Sequence, residues 1–428
     1  MSLRSMARAA PPPTATRQRR GPQRERHEMD HLLLVATVAL VVIGLLMIYS
    51  SAGVAAAVEN GGDPFIAALP QLGWSALGLL AMIFFYRLDF RYLRLGSVVA
   101  YLIGLALLVI VLLPAIGPFR PITSGGSSRW LEIGPLPSMH PAELMKLALV
   151  IYLAHWLARR GSQVSGFFSG TLPFLLIAGP AIALVALEPD LGTTIVLGLA
   201  ALTMFLVAGG SVLQVLLLVP VGVAAVVLYV QANDYQMDRV RVFLDPWSAP
   251  PEKAFQTVQG LLALGRGGIF GVGLGESSRP GGLALPNAHN DFIFALIGQE
   301  LGLIGASLVI GLYLLFAYRG IRIALAAPDT FGGLLAAGVT AWLIFQALIN
   351  ISVVVVLIPI TGIPLPFVSD GGSSLVVSFA AVGILLSISR ETLPRGTWND
   401  AHPDSGGGYG RSYLPGPGST SLTLRARR

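Results

Sequence analysis

The chain has 428 residues, of which 54% are hydrophobic and only 12% are charged. Because soluble domains carry about 25% charged residues, the composition excludes a soluble globular fold and predicts a polytopic membrane protein. The absence of cysteine excludes disulfides, thiolate metal sites and a cysteine nucleophile. The net charge of +6 lies mainly in the tails and short loops, which indicates membrane topology rather than nucleic-acid binding.

Ten apolar segments are each long enough to cross a bilayer, which takes about 20 residues. In chain order they cover about residues 31–51, 65–86, 95–117, 141–158, 166–187, 190–208, 212–231, 291–318, 331–360 and 367–389. The predicted fold is therefore all-α, a ten-helix membrane domain over residues 29–390. The tails, 1–28 and 391–428, are rich in Pro, Gly, Ser and Arg. They are predicted to be disordered, with their basic residues against anionic lipid headgroups.

The distribution of arginine predicts which ends of the spans face the cytoplasm. Seven Arg precede the first span and others follow the second, fourth and eighth, whereas the loops near Glu59, Glu188 and Thr361 lack Lys and Arg. By the positive-inside rule, both termini are cytoplasmic. The outer loops 118–140 and 232–290 break the rule, because together they carry seven basic residues. Either these residues meet an anionic ligand, or loop 232–290 is long enough to escape the rule.

A carboxylate stands where a polar, Pro- and Gly-rich segment becomes the eighth span. If Asn290 is the N-cap, Asp291 lies in the first helical turn, where the helix dipole favours negative charge. The alternative interpretation is functional, because a carboxylate at a membrane edge is costly to bury and can act as a general base. His289 is a candidate for contact with the substrate or for tuning this acid.

Glu143 and Lys146 lie three residues apart on the fourth span and therefore share one helix face. One interpretation is a structural ion pair, since either charge alone would be costly in the membrane. The other is that Lys146 lines an anion path together with Arg129 of the preceding loop. Trp130, beside that arginine, suits a partly inserted loop that contacts a phosphorylated or glycosylated headgroup.

Two further segments carry candidate polar contacts. The glycine-rich run Gly260–Ser277 lacks the Gly-Lys-Ser/Thr ending of a phosphate loop, so nucleotide binding is not predicted. Its glycines favour close packing or a re-entrant loop, with Arg266 able to contact phosphate. The segment Pro359–Ser374 is broken by three prolines, and Ser373 and Ser374 are predicted to face a cavity. HExxH spacing is absent, so a metal held by protein ligands alone is not predicted.

Together these segments resemble the SEDS family, the FtsW/RodA/SpoVE-type peptidoglycan polymerases. The matching strings occur in family order over most of residues 30–390: SSRWLEIGPLPSMHPAELMKLALVIYLA, LEPDLGTT, RVFLDPW, FQTVQGLLALGRGGIFGVGLGES, LPNAHNDFIFALIGQELGLIG and INISVVVVLIPITGIPLPFVSDGGSS. The resemblance implies ten spans, cytoplasmic termini and a large outer loop, 232–290, between spans seven and eight.

The resemblance also implies glycan-strand synthesis from lipid II at the outer face of the bacterial cytoplasmic membrane. Asp291 matches the family's essential aspartate and would deprotonate the 4-hydroxyl of an acceptor GlcNAc. This hydroxyl attacks the anomeric carbon of the donor MurNAc with inversion and displaces undecaprenyl pyrophosphate. Candidate substrate-binding residues are Arg129, Trp130, Glu143, Lys146, Arg266, His289, Ser373 and Ser374, and further basic candidates for the pyrophosphate are Arg239 and Arg241.

The implied partners are lipid II, a class B penicillin-binding protein acting as transpeptidase, proteins of a division or elongation complex, and membrane lipids. No cofactor is identified. Binding of a divalent cation, Mg²⁺ or Mn²⁺, through the substrate is an open alternative. A lipid II flippase is an alternative, because ten spans with proline-broken helices also suit a transporter. A catalytically silent scaffold for the penicillin-binding protein is another. The long N-terminal tail and the RVFLDPW string favour the FtsW branch over the RodA branch.

The sequence departs from the family pattern at several positions. Asn287 and Asn290 replace the usual Glu and Thr, Ala142 replaces Ser, and Ser352 replaces Gly. Asp370 stands where the family's last loop has S-Y-G-G, which adds a carboxylate near the predicted outer face. None of these changes removes the predicted catalytic aspartate.

Overall fold

The structure is a computed structural model that describes residues 29–50, 64–115, 117–124, 127–134, 137–278 and 290–391. The predicted tail 1–28, nearly all of the tail 391–428, and His289 lie outside these residues. The α-helices in the described part of the chain are α1 His31–Ile48, α2 Pro64–Arg87, α3 Tyr92–Leu112, α4 Pro141–Arg160, α5 Leu172–Leu187, α6 Leu191–Val207, α7 Val212–Gln231, α8 Asp234–Leu244, α9 Pro251–Gly267, α10 Ile293–Leu325, α11 Thr330–Val354 and α12 Gly372–Ser389.

Helices long enough for a bilayer occur at the predicted spans. Among the described residues, nine helical segments are long and apolar enough to cross a membrane, and the shorter apolar helix α6 occupies the sixth predicted span. Most of α11 and α12 is buried by other helices, whereas α7 is almost entirely exposed. The prediction of a multi-span helical membrane protein is confirmed.

The loop between α3 and α4 forms a β-hairpin that the all-α prediction did not include. Strand β1 (Phe119–Ser124) pairs antiparallel with β2 (Ser127–Ile133). Leu131 of β2 is fully buried while its neighbour Trp130 is exposed, the alternation of a half-buried strand. A second backbone pairing, between Leu131 and Met139, attaches the hairpin to the start of α4.

The predicted outer loop 232–290 is helical over much of its described part. It contains α8 and α9, and α9 extends to Gly267, so Arg266 lies in the last turn of a helix rather than in a glycine loop. The expectation of an irregular glycine-rich run from residue 260 is therefore wrong for its part up to Gly267. The physical reason is packing, because Gly260 lets the Phe292 ring approach the α9 backbone and this contact outweighs the low helix propensity of glycine.

The long helix α10 is interrupted at Gly302, which has φ 67° and ψ −164°. The glycine-rich segment 268–275 lies in this break. Leu303 N–H donates to Gly268 O at 2.9 Å, and Val272 N–H donates to Gln299 O at 2.9 Å. These bonds replace helical ones and satisfy the backbone at the kink. The glycines thus serve close packing.

Gly271→Ala should lower the free energy of unfolding by about 2 kcal/mol or more. Gly271 has φ +82°, and a Cβ there would overlap the Glu300 carbonyl, so alanine is strained and displaces the loop from the kink. The measurement is thermal unfolding in detergent. The matched control is Gly265→Ala in α9, which meets open space and should be neutral or stabilising by up to about 1 kcal/mol. Equal melting temperatures for the two variants would show that the loop does not hold the kink.

The ends of the bundle can be placed relative to a bilayer from α10. Arg319 pairs with Asp30 at the start of α1 (Nη2–Oδ2, 2.5 Å), and Glu300 accepts a 2.6 Å hydrogen bond from Ser50 beyond the other end of α1. Between the kink at Gly302 and Arg319 the helix rises about 26 Å, most of the hydrocarbon thickness of about 30 Å. The residues before Glu300 therefore project beyond the hydrocarbon. We call this the site end and the opposite end, which carries Arg87, Arg91, Arg94, Arg159, Arg160, Arg319 and Arg322, the arginine-rich end.

Candidate active site

Asp291 lies in the turn before α10 and not in its first turn. The helix begins at Ile293, and Phe292 occupies the N-cap position without a side-chain cap bond, so the prediction that Asn290 caps this helix is wrong. The reason is that Phe292 is fully buried against Gly260, which sets where the helix begins. The consequence is that the half-buried carboxylate of Asp291 stands at the helix entrance, at the site end.

Two amides from other helices hold Asp291. Gln256 of α9 donates from Nε2 to Asp291 Oδ1 at 3.2 Å. Asn350 of α11 donates from Nδ2 to the Asp291 backbone carbonyl at 2.8 Å. One amide therefore orients the carboxylate while the other anchors its backbone, and sequence reasoning identified neither. The available signal was weak, because Asn350 is a polar residue in an apolar helix and Gln256 is one of several polar residues in α9.

The segment 359–366, which joins α11 to α12, supports the site through its backbone. Its prolines prevent regular helix, so its carbonyls need partners elsewhere. Side chains of α11 and α8 supply them, with Asn350 on Ile363 O at 2.9 Å, Gln346 on Pro364 O at 2.9 Å and Arg239 on Ile360 O at 3.1 Å. Thr361, Ile363, Leu365 and Pro366 of this broken backbone are buried in protein, and the predicted cavity stays a prediction. Asp291 and this segment are tied together because Asn350 bonds to both.

Two arginines at the site end have neutral hydrogen-bond acceptors. Arg129 of β2 donates through Nε to Glu188 O at 3.1 Å and through Nη2 to Pro189 O. Arg239 of α8 donates to Ile360 O and to the Tyr235 hydroxyl. Within the described residues, no carboxylate lies within 4.0 Å of either guanidinium. Both therefore keep their positive charge available to an anion.

The charges of Arg129, Asp190 and Asp291 all act on the guanidinium of Arg239. Burial lowers the pKa of Arg239, and the charge of Arg129 lowers it further, while Asp291 and Asp190 raise it. These four groups therefore share one electrostatic environment. A site with two guanidiniums and a carboxylate base can stabilise developing negative charge while it accepts a proton.

The turn between α5 and α6, part of the LEPDLGTT string, adds two buried acids that residue-level reasoning missed. Asp190 accepts a 3.0 Å bond from Thr193 N–H, and its Oδ2 lies 3.6 Å from His140 Nε2. Glu188 has no exposed surface. Burial, reinforced by Asp190 and opposed by Arg129, raises the pKa of Glu188 to about 9. At neutral pH Glu188 is therefore protonated, and it does not neutralise Arg129.

The raised pKa of Glu188 predicts a pH-dependent stability. In the unfolded chain this group titrates near 4.5 and in the folded protein at about 9, so folding takes up a proton between these values. The contribution is complete below pH 4.5 and is lost as pH rises towards 9. Glu188→Gln should remove this loss, so its melting temperature should exceed that of the wild type by a margin that grows from pH 5 to 9. Glu132→Gln, an exposed substitution on β2, should follow the wild-type curve. Parallel curves for Glu188→Gln and the wild type would contradict the shift.

Lys146 and Glu143 form a buried ion pair, with Lys146 Nζ 2.7 Å from Glu143 Oε1. Lys146 also donates to Gln346 Oε1 at 2.6 Å, and its side chain is 1% exposed. The structural interpretation of this pair is thus supported by its geometry. The pair still bears on the site, because Gln346 lies one turn from Asn350 on α11 and also bonds Pro364 O.

The other residues predicted to bind the substrate differ in their burial and in their contacts. Ser373 is buried and its Oγ accepts from His140 N–H at 3.2 Å, and the Trp130 ring packs edge-on against the His140 ring. Ser374 is buried in the first turn of α12. Arg266 is exposed and lies ten residues beyond Gln256 along α9, a rise of about 15 Å, so it does not share the site with Asp291. Arg241 is exposed on α8 and pairs with Asp238.

In the described ranges, no group of three or more His, Asp or Glu side chains is arranged to hold a metal ion. The site is instead composed of one half-buried carboxylate, the amides that hold it and two arginines. Fold and site together define a multi-span membrane protein that carries a half-buried carboxylate and two arginines with neutral acceptors at one end of its helix bundle. A family model for FtsW, RodA and SpoVE, described as cell cycle protein, matches residues 30–393. The chain belongs to this family.

Known proteins resemble the chain over most of its length. Stage V sporulation protein E of Bacillus subtilis (strain 168) is 40% identical over 84% of this chain and 97% of its own length. A probable peptidoglycan glycosyltransferase FtsW of Thioalkalivibrio sulfidiphilus is 40% identical over 86% of this chain and 91% of its own. A solved chain from a peptidoglycan synthase complex that coordinates polymerization and crosslinking has a TM-score of 0.68 at 27% identity, covering 85% of this chain and 98% of that one. Several relatives with 36–40% identity carry the glycosyltransferase name, and the chain is a peptidoglycan glycosyltransferase.

Proposed function

We propose that the chain polymerises lipid II into glycan strands by inverting transfer, with Asp291 as general base. The observation that carries this proposal is that Gln256 orients the Asp291 carboxylate, whose charge acts on Arg239 together with that of Arg129, while both arginines have neutral acceptors. The base and the cations are the two components that the displacement of a pyrophosphate by a sugar hydroxyl requires.

The reaction proceeds by one displacement. Asp291 takes the proton of the acceptor GlcNAc 4-hydroxyl, and the oxygen attacks the anomeric carbon of the donor MurNAc. The bond from this carbon to the pyrophosphate oxygen breaks as the new glycosidic bond forms, so the configuration inverts. The leaving undecaprenyl pyrophosphate takes the bonding electron pair. Arg129 and Arg239 stabilise its growing charge, and their orientation by backbone carbonyls preorganises them for this role.

We assign the site end to the outer face of the bacterial cytoplasmic membrane, with both termini in the cytoplasm. The seven arginines at the opposite end support this orientation through the positive-inside rule. The basic residues of the site end are an exception to that rule, and an anionic lipid-linked donor accounts for them. The names of the relatives support the FtsW branch and hence a role in cell division, with a class B penicillin-binding protein as partner.

The test is polymerisation by the purified chain together with a class B penicillin-binding protein. Fluorescent lipid II should be converted to a ladder of glycan products that lysozyme digests. An arm with EDTA, followed by added Mg²⁺ or Mn²⁺, decides whether the pyrophosphate needs a bridging cation. Vesicles that translocate labelled lipid II without forming polymer would overturn the proposal in favour of a flippase, and an inactive chain that still recruits the partner would favour a scaffold.

A further inference from the structure

A second polar cluster lies at the arginine-rich end, between α3 and α4. Ser97 of α3 and His155 of α4 are both buried, and Ser97 Oγ lies 2.6 Å from His155 Nδ1. The two helices run in opposite directions. Arg94 lies about one turn before Ser97 on α3, and Arg159 lies about one turn after His155 on α4. The two arginines therefore lie at the same level of the two packed helices.

The carboxylates nearby do not neutralise this pair. Asp89, Asp329 and Glu391 all bind Arg91, with N–O distances of 3.2, 3.5 and 2.6 Å. In the part of the chain that the structure describes, neither Arg94 nor Arg159 has a carboxylate within 4.0 Å. Arg94 instead packs over the Phe331 ring at 4.8 Å. Like charges placed side by side favour an anion between them.

His155 provides an independent indication of a ligand. The residue is only 9% exposed, and its Nε2 is buried without a hydrogen-bond partner among the described residues. The charges of Arg159 and Arg94 both act on this ring, which lies one turn from each of these residues along its own helix or through Ser97. The Nε of Arg94 is also buried and unpartnered. Buried polar atoms without partners are costly. An anion would accept from Arg94 Nε, and also from His155 Nε2 when that nitrogen carries a proton.

Next to Arg94, on the side of α3 away from Ser97, the surface is apolar. Below Arg94, towards the membrane centre, α3 exposes Leu95, Val98, Val99 and Leu102, with exposed fractions between 43% and 80%. A free phosphate ion would leave this surface bare, whereas the acyl chains of a lipid would cover it. Basic pockets between membrane helices are known sites for anionic lipid headgroups.

We propose that Arg94, Arg159 and His155 bind the phosphate of an anionic phospholipid in the leaflet at the arginine-rich end, with its acyl chains along α3. The site is at the opposite end of the bundle from Asp291 and does not depend on the proposed reaction. The lipid would hold α3 and α4 together at the arginine-rich end, where the described residues form no side-chain ion pair between these two helices.

The test is native mass spectrometry of the full chain released from vesicles of phosphatidylcholine and phosphatidylglycerol in equal amounts. Wild type should retain phosphatidylglycerol in preference to phosphatidylcholine. Arg94→Gln and Arg159→Gln should each reduce that retention about ten-fold, the effect of losing one charge-assisted contact. Arg322→Gln removes the same charge at the same end and should retain the lipid as wild type does, because among the described residues Arg322 contacts the hydroxyl and ring of Tyr318 and no buried unpartnered atom.

Three results would overturn the proposal. The first is wild-type retention by both Arg94→Gln and Arg159→Gln, and the second is an equal loss in Arg322→Gln, which would indicate general charge attraction. The third is a phosphate adduct from inorganic phosphate in vesicles of phosphatidylcholine alone, which would assign the site to a free ion. Arg159 is exposed, so its variant should fold, and Arg159→Lys should recover part of the retention if the charge is what binds. Because lipid retention is measured without lipid II, a failure here leaves the glycosyltransferase proposal untouched.

Discussion

Asp291→Asn should abolish glycan polymerisation while the protein stays folded. Asparagine has the same shape but cannot take the acceptor proton, and loss of a general base costs about 10²–10⁴ in rate. The substitution should leave folding intact, because Asn350 binds the backbone carbonyl of residue 291 and Gln256 can still donate to the asparagine side-chain oxygen. The measurement is the initial rate of product formation from labelled lipid II by the purified complex.

The matched control for this substitution is Asp234→Asn. Asp234 is an exposed acid in the first turn of α8, at the same end of the bundle, and should leave the rate unchanged. Melting temperatures of both variants establish that folding is intact. A normal rate in a normally folded Asp291→Asn variant would show that another group removes the proton.

Lys146→Met should destabilise the helix bundle by about 3–5 kcal/mol, because it leaves the buried carboxylate of Glu143 without its partner. It also removes the cation that donates to Gln346, one turn from the amide of Asn350 that anchors Asp291. The expected result is a melting temperature several degrees lower in detergent, together with a lower rate of polymerisation.

The double variant Glu143→Gln/Lys146→Met separates the pair from the packing of its side chains. Removing both charges leaves no unpaired buried ion, so most of the lost stability should return. If the double variant is as unstable as Lys146→Met, the loss arises from packing or from Gln346 and not from the unpaired carboxylate. Recovery of stability without recovery of activity would place Lys146 in the site as well.

The spans could be predicted because a bilayer requires about 20 consecutive apolar residues, whatever surrounds the helix. The hairpin between α3 and α4 could not, because its strands are short and rich in Ser, and Leu131 gains burial only from its neighbours. The helical position of Arg266 could not be predicted for the same reason. Glycines in a sequence indicate irregular backbone unless a distant residue such as Phe292 packs on them.

Asp291 could be identified from its position, but the groups around it could not. Gln256 and Asn350 lie 35 and 59 residues away and are ordinary polar residues until the fold brings them to the carboxylate. The sequence placed Arg129 and Arg239 among several basic candidates. Only the structure separated these two from the exposed Arg241 and the distant Arg266.

By itself the sequence determined a multi-span helical membrane protein, its family and the aspartate at the entrance to the eighth span, because hydropathy and motifs depend on local residue order. The tertiary structure was needed to show that Lys146 is neutralised by Glu143, that Glu188 carries a proton, and that the partners of Arg129 among the described residues are carbonyls. The reason is that charge state and available charge depend on burial and on atoms within a few ångströms, which segments far apart in the chain supply.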